Sequence, residues 1–213
     1  MDILLLTGAP RSRRIKDFLS ARADRVMECS APLSLEMARE SAPDFMIIHG
    51  YGPIIKAPVV DAFAGRIINL HNTYLPWGRG LMGNVWSFFE DTPKGVSLHS
   101  IDAGVDTGDV IVRQLVPLGQ DETLQSSWDA LMDALELLFM DRWEDIASDR
   151  APRVPQSSLE GLGSFHDRRM SDRLLALCPQ RWQTPVAFVA GLGREYRADP
   201  AAFAARYGTK IYE

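Results

Sequence analysis

The sequence predicts an α/β protein in which helices flank a mostly parallel β-sheet. Residues 2–7, DILLLT, form a nearly continuous apolar run that ends at Gly8, which is typical of a strand buried on both faces. Apolar residues at helical spacing follow among charged ones in residues 13–23. Because strands and helices go on alternating, we expect right-handed crossovers between parallel strands.

Three more strands and one more helix are expected before residue 72. We expect the first strand to be central in the sheet, because its residues are almost all apolar. The pattern predicts strands at 25–27, 45–49 (FMIIH) and 66–71 (RIINLH), and a helix at 33–39. Residues 72–83 then contain one proline and three glycines, which predicts a long loop.

The second half of the chain begins with two strands and a long helix. Residues 96–101 alternate, and residues 109–116 form a mostly apolar run, so we expect two adjacent strands at one side of the sheet. The longest helical pattern starts after residues 121–123 and ends near Ser148.

The last third of the chain is interrupted by proline, serine and glycine. Short helical patterns occur there at 170–177, 185–190 and 200–207. We therefore expect a catalytic domain over residues 1–150, with a short irregular extension over 151–213 packed on it.

The composition is that of a globular protein and excludes several function classes. Of 213 residues, 46% are hydrophobic, and the 23 basic and 28 acidic side chains leave a net charge of −5. This charge disfavours nucleic acids and anionic membranes as partners. The two cysteines, Cys29 and Cys178, form no metal or disulfide motif, and no signal peptide or membrane span is evident. We expect a cytoplasmic protein.

The sequence lacks the motifs of two common α/β enzyme classes. The turn after the first strand reads GAPRS at residues 8–12, which is neither the G-x-G-x-x-G of dinucleotide-binding proteins nor a P-loop. The G-x-S-x-G elbow of serine hydrolases does not occur in the sequence.

Polar residues that could carry chemistry cluster on two predicted strands. Asn69 and His71 are two apart, so their side chains point to the same side of the 66–71 strand. His99 lies on a later strand, and Asp106 lies in the loop after it. Singly, each could be a structural polar residue; together they indicate a site at the sheet.

These residues resemble a known family. Asn69-Leu70-His71-Asn72-Thr73-Tyr74-Leu75-Pro76, followed by His99 and Asp106-x-Gly108, is similar to the N-x-H-x-S-x-L-P and D-x-G signature of folate-dependent formyltransferases. That family includes the glycinamide ribonucleotide and methionyl-tRNA enzymes. The stretches 75–80 and 86–95 are closer to its sugar-nucleotide N-formyltransferase branch. The resemblance implies a Rossmann-like formyltransferase fold.

The resemblance also implies the roles of the site residues. Asn69, His71 and Asp106 would form the catalytic trio, with His99 supporting them and with no metal. The co-substrate would be formyltetrahydrofolate. Its pterin would be held by backbone groups of two segments: Pro53, Ile54 and Ile55, and Ile101, Asp102, Ala103, Gly104 and Val105.

The expected reaction moves a formyl group to a primary amine, most simply that of a nucleotide-linked amino sugar. Trp77, Arg79 and Arg11 are candidates for contacts with this acceptor, although packing or solvation explains each about as well. The alternatives are another small amine, such as glycinamide ribonucleotide, and hydrolysis of the same folate. The turn at 8–12 lacks the phosphate-holding loop of the ribonucleotide enzymes, and the chain after Ser148 is too short for the complete carboxyl-terminal barrel of the tRNA enzymes. The sequence leaves the oligomeric state open, a homodimer included.

Overall fold

The computed structural model describes residues 1–8, 12–161 and 163–212. Its strands are β1 (Asp2–Leu6), β2 (Arg25–Cys29), β3 (Phe45–Ile48), β4 (Ile67–His71), β5 (Arg79–Gly80), β6 (Gly95–Ser100), β7 (Val110–Leu115) and β8 (Phe165–His166). Its α-helices are α1 (Arg13–Ser20), α2 (Leu35–Ser41), α3 (Ala57–Ala62), α4 (Gly83–Glu90), α5 (Leu124–Ala147), α6 (Arg168–Ala176), α7 (Val186–Ala198) and α8 (Pro200–Tyr207).

The main sheet has the strand order β2-β1-β3-β4-β6-β7. The pairs β1–β2, β1–β3 and β3–β4 are parallel, and β4–β6 is antiparallel. The predicted α/β class with a mostly parallel sheet is confirmed. Strand β1 has a neighbour on each side, and four of its five residues are buried; the middle of the sheet, however, lies at β3 and β4 rather than at β1.

The chain forms two compact units, each assembled from three stretches. The first contains Met1–His71, Ser97–Arg113 and Leu135–Leu159, and the second contains Asn72–Val96, Gln114–Ala134 and Glu160–Glu213. Helix α5 begins in the second unit and ends in the first. These units do not test the predicted division into domains at residues 1–150 and 151–213, which stays a prediction.

Each unit has its own apolar core. In the first, buried side chains of β1, β3 and β4 pack with those of α2 and α3. In the second, the core consists of the apolar face of α4 together with residues of α6, α7 and α8. The three helical patterns expected in the last part of the chain are present as α6, α7 and α8, so this part is more helical than the expected irregular extension.

The predicted loop at 72–83 contains a short strand. Strand β5 pairs in parallel with β8, whose residues lie far along the chain, and α4 begins at Gly83. A two-residue strand has no periodicity of its own, so local pattern could not reveal it. Helix α4, GNVWSFFE, is buried on almost every side, which hides the helical period as well.

Within the described residues, no helix is both long enough and apolar enough to cross a membrane.

Candidate active site

Strands β4 and β6 bring three of the predicted residues to one face of the sheet. Asn69 lies directly opposite His99 in the antiparallel register, and His71 lies opposite Ser97. Side chains of directly opposed residues project to the same face, as do those two apart on one strand. Asn69, His71 and His99 therefore share a face, as the spacing of the first two predicts.

His99 is held in one neutral form. Its Nδ1 lies 2.8 Å from the carbonyl oxygen of Ser100, which can only accept, so Nδ1 carries the proton and donates. Nε2 is then an acceptor. His99 is fully buried, and this burial, together with the nearby His71, lowers the pKa of His99 to about 4, so the ring is neutral near pH 7.

The neutral His99 ring in turn fixes the amide of Asn69. Asn69 Nδ2 lies 3.0 Å from His99 Nε2 and donates to it, because an amide oxygen there would meet a lone pair. The same nitrogen lies 3.3 Å from Asp106 Oδ1. One N–H of Asn69 is therefore held by His99, and the other is directed towards Asp106.

Asp106 comes from a loop that makes many of its own hydrogen bonds. The backbone of Asp106 is left-handed, with φ 53°. Asp102 Oδ1 accepts from the backbone N–H of Gly104 at 3.0 Å and from the hydroxyl of Thr107 at 2.6 Å. A Cβ at Gly108 would lie 1.9 Å from the Ser100 carbonyl oxygen, so only glycine lets the loop close against β6.

Two residues beyond residue 150 support the site and are not among the sequence candidates. Gln156 Nε2 donates to the carbonyl oxygens of Asp106 at 2.7 Å and Gly108 at 2.9 Å. Arg153 donates to the Ser100 hydroxyl at 2.8 Å and to the Gly65 carbonyl at 2.9 Å. Backbone carbonyls leave no mark in a sequence, so neither role could be predicted from a motif.

His71 completes the group without a direct bond to Asp106. Its Nδ1 lies 3.9 Å from Asp106 Oδ1, too far for a hydrogen bond but close enough for an ion pair or a bridging water. The rings of His71 and His99 meet edge to face, 5.7 Å apart. An imidazole and a carboxyl group thus flank the N–H of Asn69, an arrangement suited to stabilising a tetrahedral oxyanion and to transferring protons beside it.

The same three side chains also offer a metal-like geometry. Ligand atoms of His71, His99 and Asp106 lie within 4.8 Å of one another. However, both ring nitrogens of His99 already take part in hydrogen bonds, so an ion there would have to break the bond to Asn69. The donor set therefore fits acid–base chemistry better than metal binding.

The two segments predicted to hold a pterin lie in the first unit with this site. Ile55 and Ile101 both pack against that unit's apolar core. Ile54 is 83% exposed and Val105 is 50% exposed. Each of the two segments thus exposes one large apolar side chain and packs another against the core.

The predicted acceptor residues lie in the second unit or outside the described residues. The ring of Trp77 packs so closely on Gly161, where φ is +95°, that a Cβ there would lie 2.3 Å from it. The backbone N–H of Arg79 donates to Ser164 at 3.0 Å, and its Nε lies 3.4 Å from the same carbonyl oxygen. Arg11 falls outside the described part of the chain.

Comparison with known proteins identifies the family. A family model described as formyl transferase matches residues 19–141, more than half of the chain. The chain belongs to the formyl transferase family. The assignment drawn from the Asn69–Pro76 and Asp106-x-Gly108 motifs to a family of folate-dependent formyltransferases is therefore confirmed.

Solved structures of the formyl transferase family share the fold. The formyltransferase PseJ from Anoxybacillus kamchatkensis, solved with UDP-4,6-dideoxy-4-formamido-L-AltNAc and tetrahydrofolate, is 38% identical, with a TM-score of 0.82 over 90% of this chain and 98% of that one. A 4-N formyltransferase from Francisella tularensis is 18% identical, with a TM-score of 0.73 over 90% of this chain and 86% of that one, and shows the fold alone.

Curated relatives in the family include methionyl-tRNA formyltransferases. That of Geobacter sulfurreducens is 33% identical over 106 residues, covering 49% of this chain and 33% of the relative. That of Syntrophus aciditrophicus is 27% identical over 174 residues, covering 81% of this chain and 54% of the relative. The chain thus spans between about a third and about half of the length of these relatives.

Proposed function

We propose that this protein transfers the formyl group of formyltetrahydrofolate to the primary amine of a nucleotide-linked amino sugar. The observation that carries the proposal is the hydrogen-bonded set of Asn69, His99 and Asp106 beside His71. The set combines a neutral imidazole at His99, an N–H donor at Asn69 and a carboxyl group at Asp106, which are the groups that amide formation from a formyl donor needs.

In the proposed reaction the acceptor amine attacks the formyl carbon, and the carbonyl oxygen becomes an oxyanion. The hydrogen bond from Asn69 Nδ2 to Asp106 Oδ1 is long, at 3.3 Å. The N–H that makes it can therefore turn to that oxyanion. His99 keeps the amide nitrogen rather than the oxygen facing the reaction, so we assign it a positioning role.

Two proton transfers complete the reaction. Asp106 accepts the proton that the amine loses as the new carbon–nitrogen bond forms. His71, in its imidazolium form, donates to the folate nitrogen as the bond between that nitrogen and the formyl carbon breaks. His71 Nδ1 and Asp106 Oδ1 lie 3.9 Å apart, close enough for one water to bridge them and return the proton from Asp106 to His71.

The folate is assigned to the segments 53–55 and 101–105. The argument rests on the exposed Ile54 and Val105 and on the packing of Ile55 and Ile101 against one core. Because the bound folate would cover the exposed side chain of Ile54, Ile54→Ala should weaken binding of folinic acid several-fold. Ile55→Pro, which removes an N–H, should weaken binding by about tenfold or more.

The acceptor class is supported by PseJ, whose structure contains a UDP-linked formamido sugar with tetrahydrofolate and matches nearly the whole of both chains. The net charge of −5 does not favour a tRNA. We therefore take a nucleotide sugar rather than an aminoacyl-tRNA as the acceptor.

The test is a transfer assay with formyltetrahydrofolate and a panel of amines. The panel contains UDP-4-amino-4,6-dideoxy-L-AltNAc, glycinamide ribonucleotide, methionyl-tRNA and a reaction without amine, read by mass spectrometry. A formyl mass gain on the nucleotide sugar is expected. A gain on either other amine would overturn the acceptor, and formate released without any amine would indicate the hydrolase.

A further inference from the structure

A cavity in the second unit is lined by residues that no motif singles out. It has a volume of about 330 Å³, and its lining residues are Asn72, Met82, Asn84, Gln125, Trp128 and Trp182. None of these side chains carries a charge. Ligand cavities commonly measure roughly 300–1,000 Å³, so this one is large enough for a single ring and too small for a whole nucleotide sugar.

The two tryptophans are fixed side by side by backbone hydrogen bonds. Leu124 N–H donates to the Thr184 carbonyl at 3.0 Å, and Val186 N–H donates to the Glu122 carbonyl at 2.9 Å. These bonds join the start of α5 to the short 3₁₀ turn that carries Trp182. The rings of Trp128 and Trp182 lie 6.4 Å apart at 60°, and both are half-buried. A flat or CH-rich ring could rest on one indole face with its edge against the other.

Two amide groups of the lining have defined orientations. Asn84 Nδ2 lies 3.3 Å from the Leu124 carbonyl oxygen and 3.4 Å from the Ser127 hydroxyl, so the nitrogen must face these atoms. Gln125 Nε2 likewise donates to Asp129 Oδ2 at 3.1 Å. Asn84 is 2% exposed. Because both amide nitrogens face protein acceptors, the amide oxygens of Asn84 and Gln125 are the acceptors offered to a ligand.

The loop that follows β4 in the chain contributes residues to the wall of this cavity. Asn72 follows His71 in the chain, and Thr73 Oγ1 lies 3.4 Å from the Gly78 carbonyl oxygen in the turn that leads to α4. Gly83, the first residue of α4, approaches Thr73 so closely that a Cβ there would lie 2.1 Å from Thr73 Cγ2. These contacts hold Thr73, the neighbour of Asn72, against the turn and the start of α4.

We propose that this cavity binds one neutral ring of the amine acceptor, through an indole face and through hydroxyl or N–H groups donated to Asn84 and Gln125. The proposal rests on the proposed function for the identity of that ring, which is either the sugar or the nucleobase. The uncharged lining excludes the diphosphate from this cavity.

The experiment compares binding and kinetics for four variants. Trp128→Ala and Trp128→Phe test the stacking face, Gln125→Met tests the acceptor oxygen, and Gln183→Met is the matched control outside the cavity. Binding of uridine, UDP and UDP-N-acetylglucosamine is measured by calorimetry without folate, and KM is measured for UDP-4-amino-4,6-dideoxy-L-AltNAc and for formyltetrahydrofolate. Melting temperatures identify variants that fail to fold.

Trp128→Ala should weaken binding of the nucleotide sugar by about tenfold or more, and Gln125→Met should weaken it several-fold. Trp128→Phe and Gln183→Met should bind it about as tightly as the wild type. Loss that extends to uridine and UDP identifies the ring as the base, and loss confined to the sugar conjugate identifies it as the sugar. Unchanged binding of all three probes in folded Trp128→Ala overturns the proposal. Wild-type protein that binds these probes but formylates no nucleotide sugar contradicts the proposed function and leaves the cavity assignment standing.

Discussion

The site on strands β4 and β6 and the Trp128–Trp182 cavity differ in how they are built. The first uses titratable and amide side chains on two paired strands and the loop after β6, and its hydrogen bonds assign a proton to one atom of each pair. The second uses helix starts and a short turn, and its lining carries no charge. The proposed catalytic groups thus lie on two strands and in the loop that follows one of them, whereas the groups proposed to select a ring lie near helix starts and in a turn, where substitution changes size and shape without disturbing a proton.

The largest effect expected is from Asp106→Asn, which keeps the shape of the side chain and removes its charge. Loss of the proton acceptor should lower kcat by about a hundredfold or more, because general bases typically contribute 10²–10⁴. Asp141→Asn, a surface carboxylate on α5, is the control and should keep the wild-type rate. A folded Asp106→Asn variant with the wild-type kcat would contradict the role given to the sheet site.

A second effect follows from the neutral His99 ring. Its pKa is about 4 in the folded protein against 6.5 when exposed, so the unfolded chain binds the extra proton first as the pH falls. Stability from this residue is complete above pH 6.5 and is lost as the pH falls from about 6.5 to about 4. Acidification from about pH 7.5 to about pH 5 should therefore lower the free energy of unfolding by about 2 kcal/mol.

The control for this pH effect is His99→Gln, which keeps an acceptor for Asn69 and cannot titrate. The free energy of unfolding is measured by urea denaturation at both pH values for both proteins. The wild type should lose about 2 kcal/mol more than the variant on acidification. An equal loss in the two proteins would show that His99 is not held neutral by its surroundings.

These two sites also differ in how far the sequence could predict them. Asn69 and His71 stand out because polar residues two apart interrupt an apolar strand, and the motif around them names the family. Trp128 lies in a long apolar helical pattern, where an indole that lines a cavity looks the same as one in the core. Gln156 and Arg153 bind backbone carbonyls, which no local sequence pattern reveals. Strand β5 has no local pattern either, because its partner strand lies more than eighty residues away in the chain. The alternating strands and helices of the first unit are predictable for the opposite reason, since each carries its own period.

The third effect concerns Arg79, which would contact the charged part of an acceptor rather than its neutral rings. Its Nε faces the Ser164 carbonyl oxygen, and its terminal nitrogens bond to no described residue, so the guanidinium can meet a phosphate. Arg79→Ala should raise KM for the nucleotide sugar by about tenfold and leave KM for formyltetrahydrofolate within about twofold. Arg169→Ala, an exposed arginine of α6, is the matched control. Equal changes for both substrates would show that Arg79 only holds β5 against β8.

The smallest effect expected is that of chelators, and it decides between the two chemical interpretations of the sheet site. A metal held by His71, His99 and Asp106 would need the Nε2 lone pair of His99, which the Asn69 amide occupies at 3.0 Å. It would also turn that amide away, and with it the donor for the oxyanion. Prolonged dialysis against EDTA should therefore leave kcat and KM unchanged, and added zinc should inhibit by competing for His99. Activity that EDTA abolishes and a divalent ion restores would make His99 a ligand, and the acid–base roles of His71 and Asp106 would have to be withdrawn.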